Sequence, residues 1–508
     1  MSTSFSNKTI AKNTIFLYIR MFLIMGVSLY TSRVILKVLG VEDYGIYQTV
    51  GGIVGFLSFL NSALSTGTSR FLTFELGVGD FEQLKRTFST TLTAHILLAF
   101  FIIGIAELAG MWLLHHKLII PPERLSAAIY AFHMSLITAG FKLIQVPYNS
   151  SIIAHEKMLA FAYIGMGEVT AQLLIVYLLE IGEADKLKLY ASLLVLVQIG
   201  LFFIYHFYTT RNFKETVYSC QWDKKILRSI LSFSGWSLFA NGSIALNSQG
   251  VLLLLNMFFN PTVVAARSIS IQVNMAVTQF VTNFRTAVTP QIVKGYATED
   301  YESSRQLLLA STKYSYYLMF VLCFPLALVT QPILKLWLGE VPAYTVPFVQ
   351  IIIVQSLFQV FDTSFYTALY AKGQLRENAL ISPLLLFLQF PVIYLLFKAG
   401  YSPLVLSWAN LVTFATLGLI VKPILIMKIA NYRWHEIKEL FWTCLRVTLA
   451  SLPLPLYLRY RWSADSITHN IFLVLIAGIL SSLFIYWLGI DKTTKDQWRD
   501  YLKKKPIR

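Results

Sequence analysis

Charge and cysteine are what this 508-residue sequence has least of: charged residues make up 13% of it, against 56% hydrophobic. The apolar runs recur along the whole length, and the mean hydropathy is +0.61. A soluble globular chain is excluded, and the pattern is that of an all-α polytopic membrane protein. Cys220, Cys323 and Cys444 stand in unrelated contexts, without an even-numbered framework or metal spacing. Neither disulfides nor a bound metal are expected. The sequence has no Walker A loop, no Rossmann glycine fingerprint and no His/Cys cluster, so no cofactor is expected either. His115-His116 falls at a span end, where solvated histidines are common. The first dozen residues are polar and lead straight into a long apolar run, without the short apolar region and cleavage site of a signal peptide, so the first span is expected to be retained.

Hydropathy places spans near 14–39, 45–73, 87–114, 125–150, 159–180, 187–208, 231–257, 262–290, 307–337, 345–371, 377–398, 402–427, 440–459 and 467–489, which makes about 14 transmembrane helices. With the N-terminus inside, roughly 25 Lys and Arg fall on the cytoplasmic side and about 9 outside. Both termini are therefore expected in the cytoplasm. The basic groups concentrate in 211–228, 428–438 and 492–508, which accounts for the formal charge of +16 without nucleic acid. Anionic lipid headgroups are the expected contact. No outer loop exceeds about twenty residues, so an extracytoplasmic active site has no home.

The stretch 261–305 is the most informative. A helix long enough to cross a bilayer carries Arg267, Gln272, Asn274, Thr278, Gln279, Asn283 and Arg285 among its apolar residues. Arg267 and Arg285 lie about five turns apart, near 27 Å on one face, with Asn274 and Thr278 on the same stripe. An arginine deep in a span costs roughly 2.5–3.5 kcal/mol unless it faces protein or a water-filled cavity, so the stripe is expected to line an interior path. The plainer reading has each arginine snorkelling to a membrane surface.

Sliding the sequence by 220 residues lays Gly79-Asp80-Phe81-Glu82 and Lys85 over Glu299-Asp300-Tyr301-Glu302 and Arg305, and Leu39-Gly40-Val41 over Phe259-Asn260-Pro261. At an offset of 217, 154–157 falls over 371–374. Six helices are thus followed by six similar ones in the same orientation, related by an axis along the membrane normal. The domains read as an N-terminal six-helix lobe over 1–215, a C-terminal six-helix lobe over 216–430, and two extra helices with a basic tail over 431–508.

In the second span Gly51, Gly55, Ser58, Ser62, Ser65 and Ser69 alternate at spacings of four and three. That face is small and hydroxylated, suited to close helix packing or to lining a cavity. Arg20, Arg33 and Arg70 add cationic groups to the first two spans, Arg70 near a surface, and Lys142 adds one to the fourth. Carboxylates within spans are few: Glu75, Glu107, Glu168 and Asp362. Asp362, beside Thr363 and Ser364, reads as a proton or cation site for ion coupling, or as one half of a salt bridge to an arginine.

The segments Leu39-Gly40-Val41-Glu42-Asp43-Tyr44-Gly45 and Thr289-Pro290-Gln291-Ile292-Val293-Lys294-Gly295-Tyr296, with the Leu336-Trp337-Leu338-Gly339 and Ala371-Lys372-Gly373 turns, resemble those of bacterial polysaccharide (O-antigen or capsule repeat-unit) flippases. These belong to the multidrug/oligosaccharidyl-lipid/polysaccharide exporter superfamily, with the multidrug and toxin extruders and the peptidoglycan-precursor flippases. The resemblance covers nearly the whole chain. It implies two pseudo-symmetric six-helix lobes in a MATE-like V, a central cavity, two further C-terminal helices and alternating access. It further implies a bacterial inner-membrane location and other polysaccharide-assembly membrane proteins as partners.

The expected cargo is a polyprenyl-pyrophosphate-linked glycan, moved from the cytoplasmic to the outer leaflet. Arginine presents a planar fork to its phosphates and stays protonated when partly desolvated. Arg267, Arg285, Arg20, Arg33, Arg70 and Asn274 are the expected substrate contacts. Flipping makes and breaks no covalent bond, so no catalytic residue and no enzyme activity are expected. A multidrug exporter of the same superfamily would favour an acidic cavity, and a membrane glycosyltransferase or O-antigen polymerase would need an outer-face active site.

Overall fold

The computed structural model describes residues 7–56, 68, 71–76, 78–155, 157–181, 184–219, 223–225, 227, 241–372, 374, 376–462, 466–491 and 495–496. Among these there is no strand. Ten helical segments are long and apolar enough to cross a membrane, from Phe81–His116 to Ile467–Gly489. The expected all-α polytopic class is what the chain adopts. Helices overrun their apolar stretches: the span expected at 262–290 is the helix Pro261–Ala297, and the one expected at 307 begins at Tyr301. Hydropathy marks where hydrocarbon begins, whereas the backbone stays helical until a cap or a left-handed residue stops it. The stretch 307–337 is broken into Tyr301–Leu328 and Thr330–Leu338.

The repeated acidic turn has the same local geometry in both copies. Gly79 and Glu299 are left-handed, with φ of 82° and 60°. Asp80 then caps Phe81–His116 by accepting from the Gln83 amide at 3.0 Å. Asp300 caps Tyr301–Leu328 by accepting from the Ser303 amide at 3.1 Å. In both copies a helix ends, one residue reverses the chain, and an aspartate starts the next helix. The other pair of equivalent turns differs: Gly40 (φ 77°) kinks the backbone inside Asn7–Phe56, and the Asn260 side chain accepts from the Val263 amide at 3.1 Å.

The chain forms two compact units. One comprises Leu23–Ser268 with Ala379–Val405, the other Met1–Phe22, Ile269–Asn378 and Leu406–Arg508. The expected division into 1–215, 216–430 and 431–508 follows the sequence copies, whereas these units follow packing.

Within the unit built on Leu23–Ser268, a core of Leu72, Leu84, Phe88, Leu92, Tyr148, Ile152, Tyr205 and Phe213 joins helices at one end. At the other end Arg124 ties three turns together. Its Nε and Nη2 donate to Asp43 at 2.7 and 2.5 Å, and its Nη1 to Asp185 at 2.8 Å. Asp185 also accepts from the Leu187 and Lys188 amides and so caps Lys186–Asn212. The motif residue Asp43 is therefore a structural clamp. Gly45 sits so close to the Pro261 carbonyl that a β-carbon would collide with it. In the other unit, Tyr301–Leu328 carries an aromatic ladder, Tyr316, Phe320 and Phe324, and the C-terminal helices pack on it. Tyr316 shares a hydrogen bond with Thr448 (2.8 Å), and the Tyr317 hydroxyl donates to the Gly489 carbonyl (3.2 Å).

Replacing Asp80 or Asp300 by alanine is expected to cost about 1 kcal/mol each. Glu299→Gly is expected to recover roughly 1 kcal/mol by relieving a left-handed non-glycine residue. Thermal unfolding in detergent checks both, and a Glu299→Gly protein less stable than wild type would show that Glu299 contributes more through its side chain than it costs in backbone strain.

Burial alone would raise the Asp185 carboxyl, but the Arg124 guanidinium and the Leu187 and Lys188 amides hold it below the ordinary carboxylate range. A carboxyl depressed in the folded state contributes stability that is present above its unfolded value, about 3.9, and lost as pH falls through the folded value. Asp185→Asn keeps the cap and removes the charge. The gap in unfolding midpoint between wild type and Asp185→Asn is expected to be wide at pH 7 and to close below about pH 4. A gap of equal size at pH 3 would contradict this reading.

Candidate functional site

The polar residues of the Pro261–Ala297 helix and the Thr345–Lys372 helix meet at two levels. Asn274 accepts from the Ser356 hydroxyl at 2.5 Å, and Arg285 donates to the Thr363 carbonyl and, at 2.9 Å, to the Thr367 hydroxyl. Asn274 and Arg285 are three helical turns apart on one face, as are Ser356 and Thr367, so the two helices run parallel along a shared polar seam. In hydrocarbon such interhelical bonds act as glue, because the alternative is an unsatisfied polar group. Part of the expected stripe is thereby spent on helix contact, while Met275, Gln279 and Thr282 stay exposed.

Beside this seam is a buried ionic cluster. Asp362 Oδ1 lies 3.2 Å from Lys422 Nζ, with side-chain exposures of 16% and 3%. The Lys422 ammonium also donates to Asn378 Oδ1 and lies 5.4 Å from the centre of the Tyr366 ring. The alternative reading of Asp362, a salt bridge to an arginine, meets a lysine instead. Arg285 is engaged one residue along, with the Thr363 carbonyl. Lys422 is not among the residues expected from the sequence. The signal available was a Lys-Pro pair inside an otherwise apolar span.

The remaining expected contacts fall in different surroundings. Arg267 is 4% exposed, buried within the unit built on Leu23–Ser268. It is a buried arginine in the second turn of its helix and not a snorkelling one. Arg33 is exposed. The Arg20 side chain and all of Arg70 lie outside the described residues, as do Ser58, Ser62, Ser65 and Ser69 of the small-residue stripe. Gly55, on that stripe, packs against the Gln249 side chain, where a β-carbon would approach within 3.2 Å.

The unit built on Leu23–Ser268 holds a cavity of about 260 Å³ with polar lining from Tyr47, Ser135, Lys142, Glu168, Gln172 and Gln198. The Gln198 amide donates to Gln145 at 2.8 Å, and Gly51 and Gly55 form part of the wall. Of the other carboxylates within spans, Glu107 pairs with His133 at 2.9 Å. The other unit has a cavity of about 630 Å³ at the acidic turn, lined by Tyr296, Tyr301, Glu302, Arg305, Lys372 and Asn431. Arg305 pairs there with Glu302 and with Glu436, and Lys372 donates to the Ile429 carbonyl. The motif residues Tyr296 and Lys372 thus close a helix end. Among the described residues no three His, Cys, Asp or Glu gather as a metal set, and Cys323 and Cys444 are buried thiols.

No protein-family model matches the sequence, and no curated protein does. Solved structures do match in fold. The lipid II flippase MurJ in an inward closed conformation has a TM-score of 0.67 at 11% identity, over 96% of this chain and 100% of that one. An inward-facing multidrug resistance MATE family transporter of the MOP superfamily has 0.64 at 15% identity, over 80% and 95%. A MOP superfamily transporter from Pyrococcus furiosus, described as having a binding pocket of reversed polarity, has 0.56 at 16% identity, over 83% and 96%. The chain is a multi-pass helical membrane protein with the fold that these MATE-family transporters and the lipid II flippase share.

Proposed function

We propose that the protein is a flippase for polyprenyl-pyrophosphate-linked oligosaccharide, carrying repeat units of O-antigen or capsule type from the cytoplasmic to the outer leaflet of the bacterial inner membrane. The observation that carries this reading is the presence of two arginines, Arg267 buried and Arg285 half-buried, on one long helix of a fold shared with transporters. A guanidinium is the side chain best matched to a pyrophosphate in low dielectric, because its fork is planar and it keeps its charge. The cost lowered is the transfer of a charged headgroup through hydrocarbon. The resemblance in fold to a lipid flippase supports a lipid-borne cargo whose tail stays in the bilayer.

In this proposal the pyrophosphate meets Arg285 first, with Arg20 and Arg70, and then Arg267 and Arg33 as access alternates. Asn274, tied to Ser356, holds the helix that presents Arg285. Asp362 is the carboxylate through which a proton or cation gradient acts. Other polysaccharide-assembly membrane proteins are the expected partners, and both termini are expected in the cytoplasm.

Export of cationic drugs is the second reading, favoured by the MATE-family neighbours. Against it stands the charge of the embedded cluster: Asp362 is answered by Lys422 and flanked by Arg285, which leaves no net negative charge for a cationic cargo.

Flipping of lipid-linked oligosaccharide in reconstituted vesicles is the test. Each arginine lost removes charge-assisted hydrogen bonds worth about 1.5–3 kcal/mol, so the Arg267→Ala/Arg285→Ala protein is expected to flip at least about tenfold more slowly at equal protein level. Full activity in that variant sinks the assignment. Arg285→Lys separates charge from fork geometry: activity close to wild type assigns the role to charge, and activity as low as in Arg285→Ala assigns it to the bidentate contact. Vesicles that accumulate a cationic dye but do not flip the glycolipid would favour the second reading.

A further inference from the structure

Lys422 reaches Asp362 because of two local departures from a regular helix. After Val405–Thr416 the chain makes a π-helical turn, Leu417–Val421, before resuming at Lys422–Ala430. A π-turn takes up about one more residue than an α-turn, so it rotates everything after it by roughly 100° relative to a continuous helix. Gly418 lies inside that turn. A β-carbon there would meet the Phe358 carbonyl oxygen at 2.5 Å, the Phe361 β-carbon at 3.3 Å and the Asp362 amide nitrogen at 3.5 Å. Glycine thus lets this helix lie directly on the 358–362 turn, and the π-turn aims the next turn's Lys422 at the carboxylate.

The ammonium then rests among a carboxylate oxygen (Asp362), an amide oxygen (Asn378) and an aromatic face (Tyr366). Carboxylate and amide oxygens are ligands of hard cations, and an aromatic face attracts a cation of any kind. The set carries one formal negative charge, which one monovalent cation balances. Arg285 does not compete for the place: its partners Thr363 and Thr367 lie roughly 100–140° around the helix from Asp362, whereas Tyr366 lies within about 40° of it.

We propose that Asp362, Asn378 and Tyr366 form a monovalent-cation site that the protein fills with its own Lys422 ammonium. The native site therefore takes no alkali cation, and removing the ammonium opens it to Na⁺ or K⁺. The proposal rests on the reading of Asp362 as the coupling carboxylate only for its consequence, that no alkali-ion gradient acts there. The occupancy itself is independent of the cargo.

The test is thermal unfolding of the purified full chain in NaCl, KCl or choline chloride at constant ionic strength, which involves no glycolipid and is unaffected if the flippase reading fails. The wild-type midpoint is expected to be the same in all three salts. Lys422→Met is expected to unfold earlier in choline and to gain about 2–5 °C, saturably, in Na⁺ or K⁺. Asp362→Asn/Lys422→Met, which has neither charge, is expected to lose that response. A saturable Na⁺ or K⁺ stabilisation of the wild type that Asp362→Asn abolishes overturns the proposal, because a free ion is then entering beside the lysine. So does a folded Lys422→Met protein indifferent to all three salts, which would leave Lys422 as a plain ion-pair partner. If Lys422→Met folds only in alkali salts, the proposal is supported. If it folds in none, Lys422→Gln takes its place under the same criteria, and the wild-type titration decides alone should that fail as well.

Discussion

Hydrocarbon offers no partner to a charge, so each ionised group inside a span has to be answered by the protein itself. The unit that contains Asp362 is arranged around that constraint. Its carboxylate draws Lys422 from one helix, the Lys422 ammonium in turn donates to Asn378 on another, and the adjoining turn receives Arg285 from a third. These polar contacts cannot be parted without leaving a charge unanswered. The same economy explains why Asn274 and Ser356 find each other across the seam.

The motif residues divide by the kind of work they do. Asp43, Tyr296, Lys372 and the paired Asp80 and Asp300 lie at helix ends, where they satisfy free amides and carbonyls or clamp turns. They repeat because a helix end poses the same problem wherever it occurs. The arginines of the Pro261–Ala297 helix lie away from such ends, Arg267 buried and Arg285 half-buried. Short motifs therefore speak for the fold.

Glycine has a precise part in this at Gly45 and Gly418. At the first, the start of the second span touches the Pro261 backbone, and at the second, the π-turn touches the Phe358 carbonyl. Close backbone approach is what brings long side chains within reach of partners on neighbouring helices. A helix one methyl group further away would leave Lys422 short of Asp362.

Much of the architecture was legible in the sequence because its causes are local. Apolar length gives spans, Gly-Asp-Phe-Glu and Glu-Asp-Tyr-Glu give matched turns, and Arg267, Arg285 and Asp362 announce themselves by their cost in a membrane. Helix ends were less legible, since hydropathy measures hydrocarbon and a helix such as Tyr301–Leu328 begins a turn and a half before it. What only the tertiary structure decided was partnership. Asp362 faces Lys422 and not an arginine because a π-turn rotates one helix, and no periodicity in the sequence reveals an extra residue in a turn. The sequence by itself determined which groups are too costly to leave in lipid; the packing of helices far apart in the chain decided which group answers each of them.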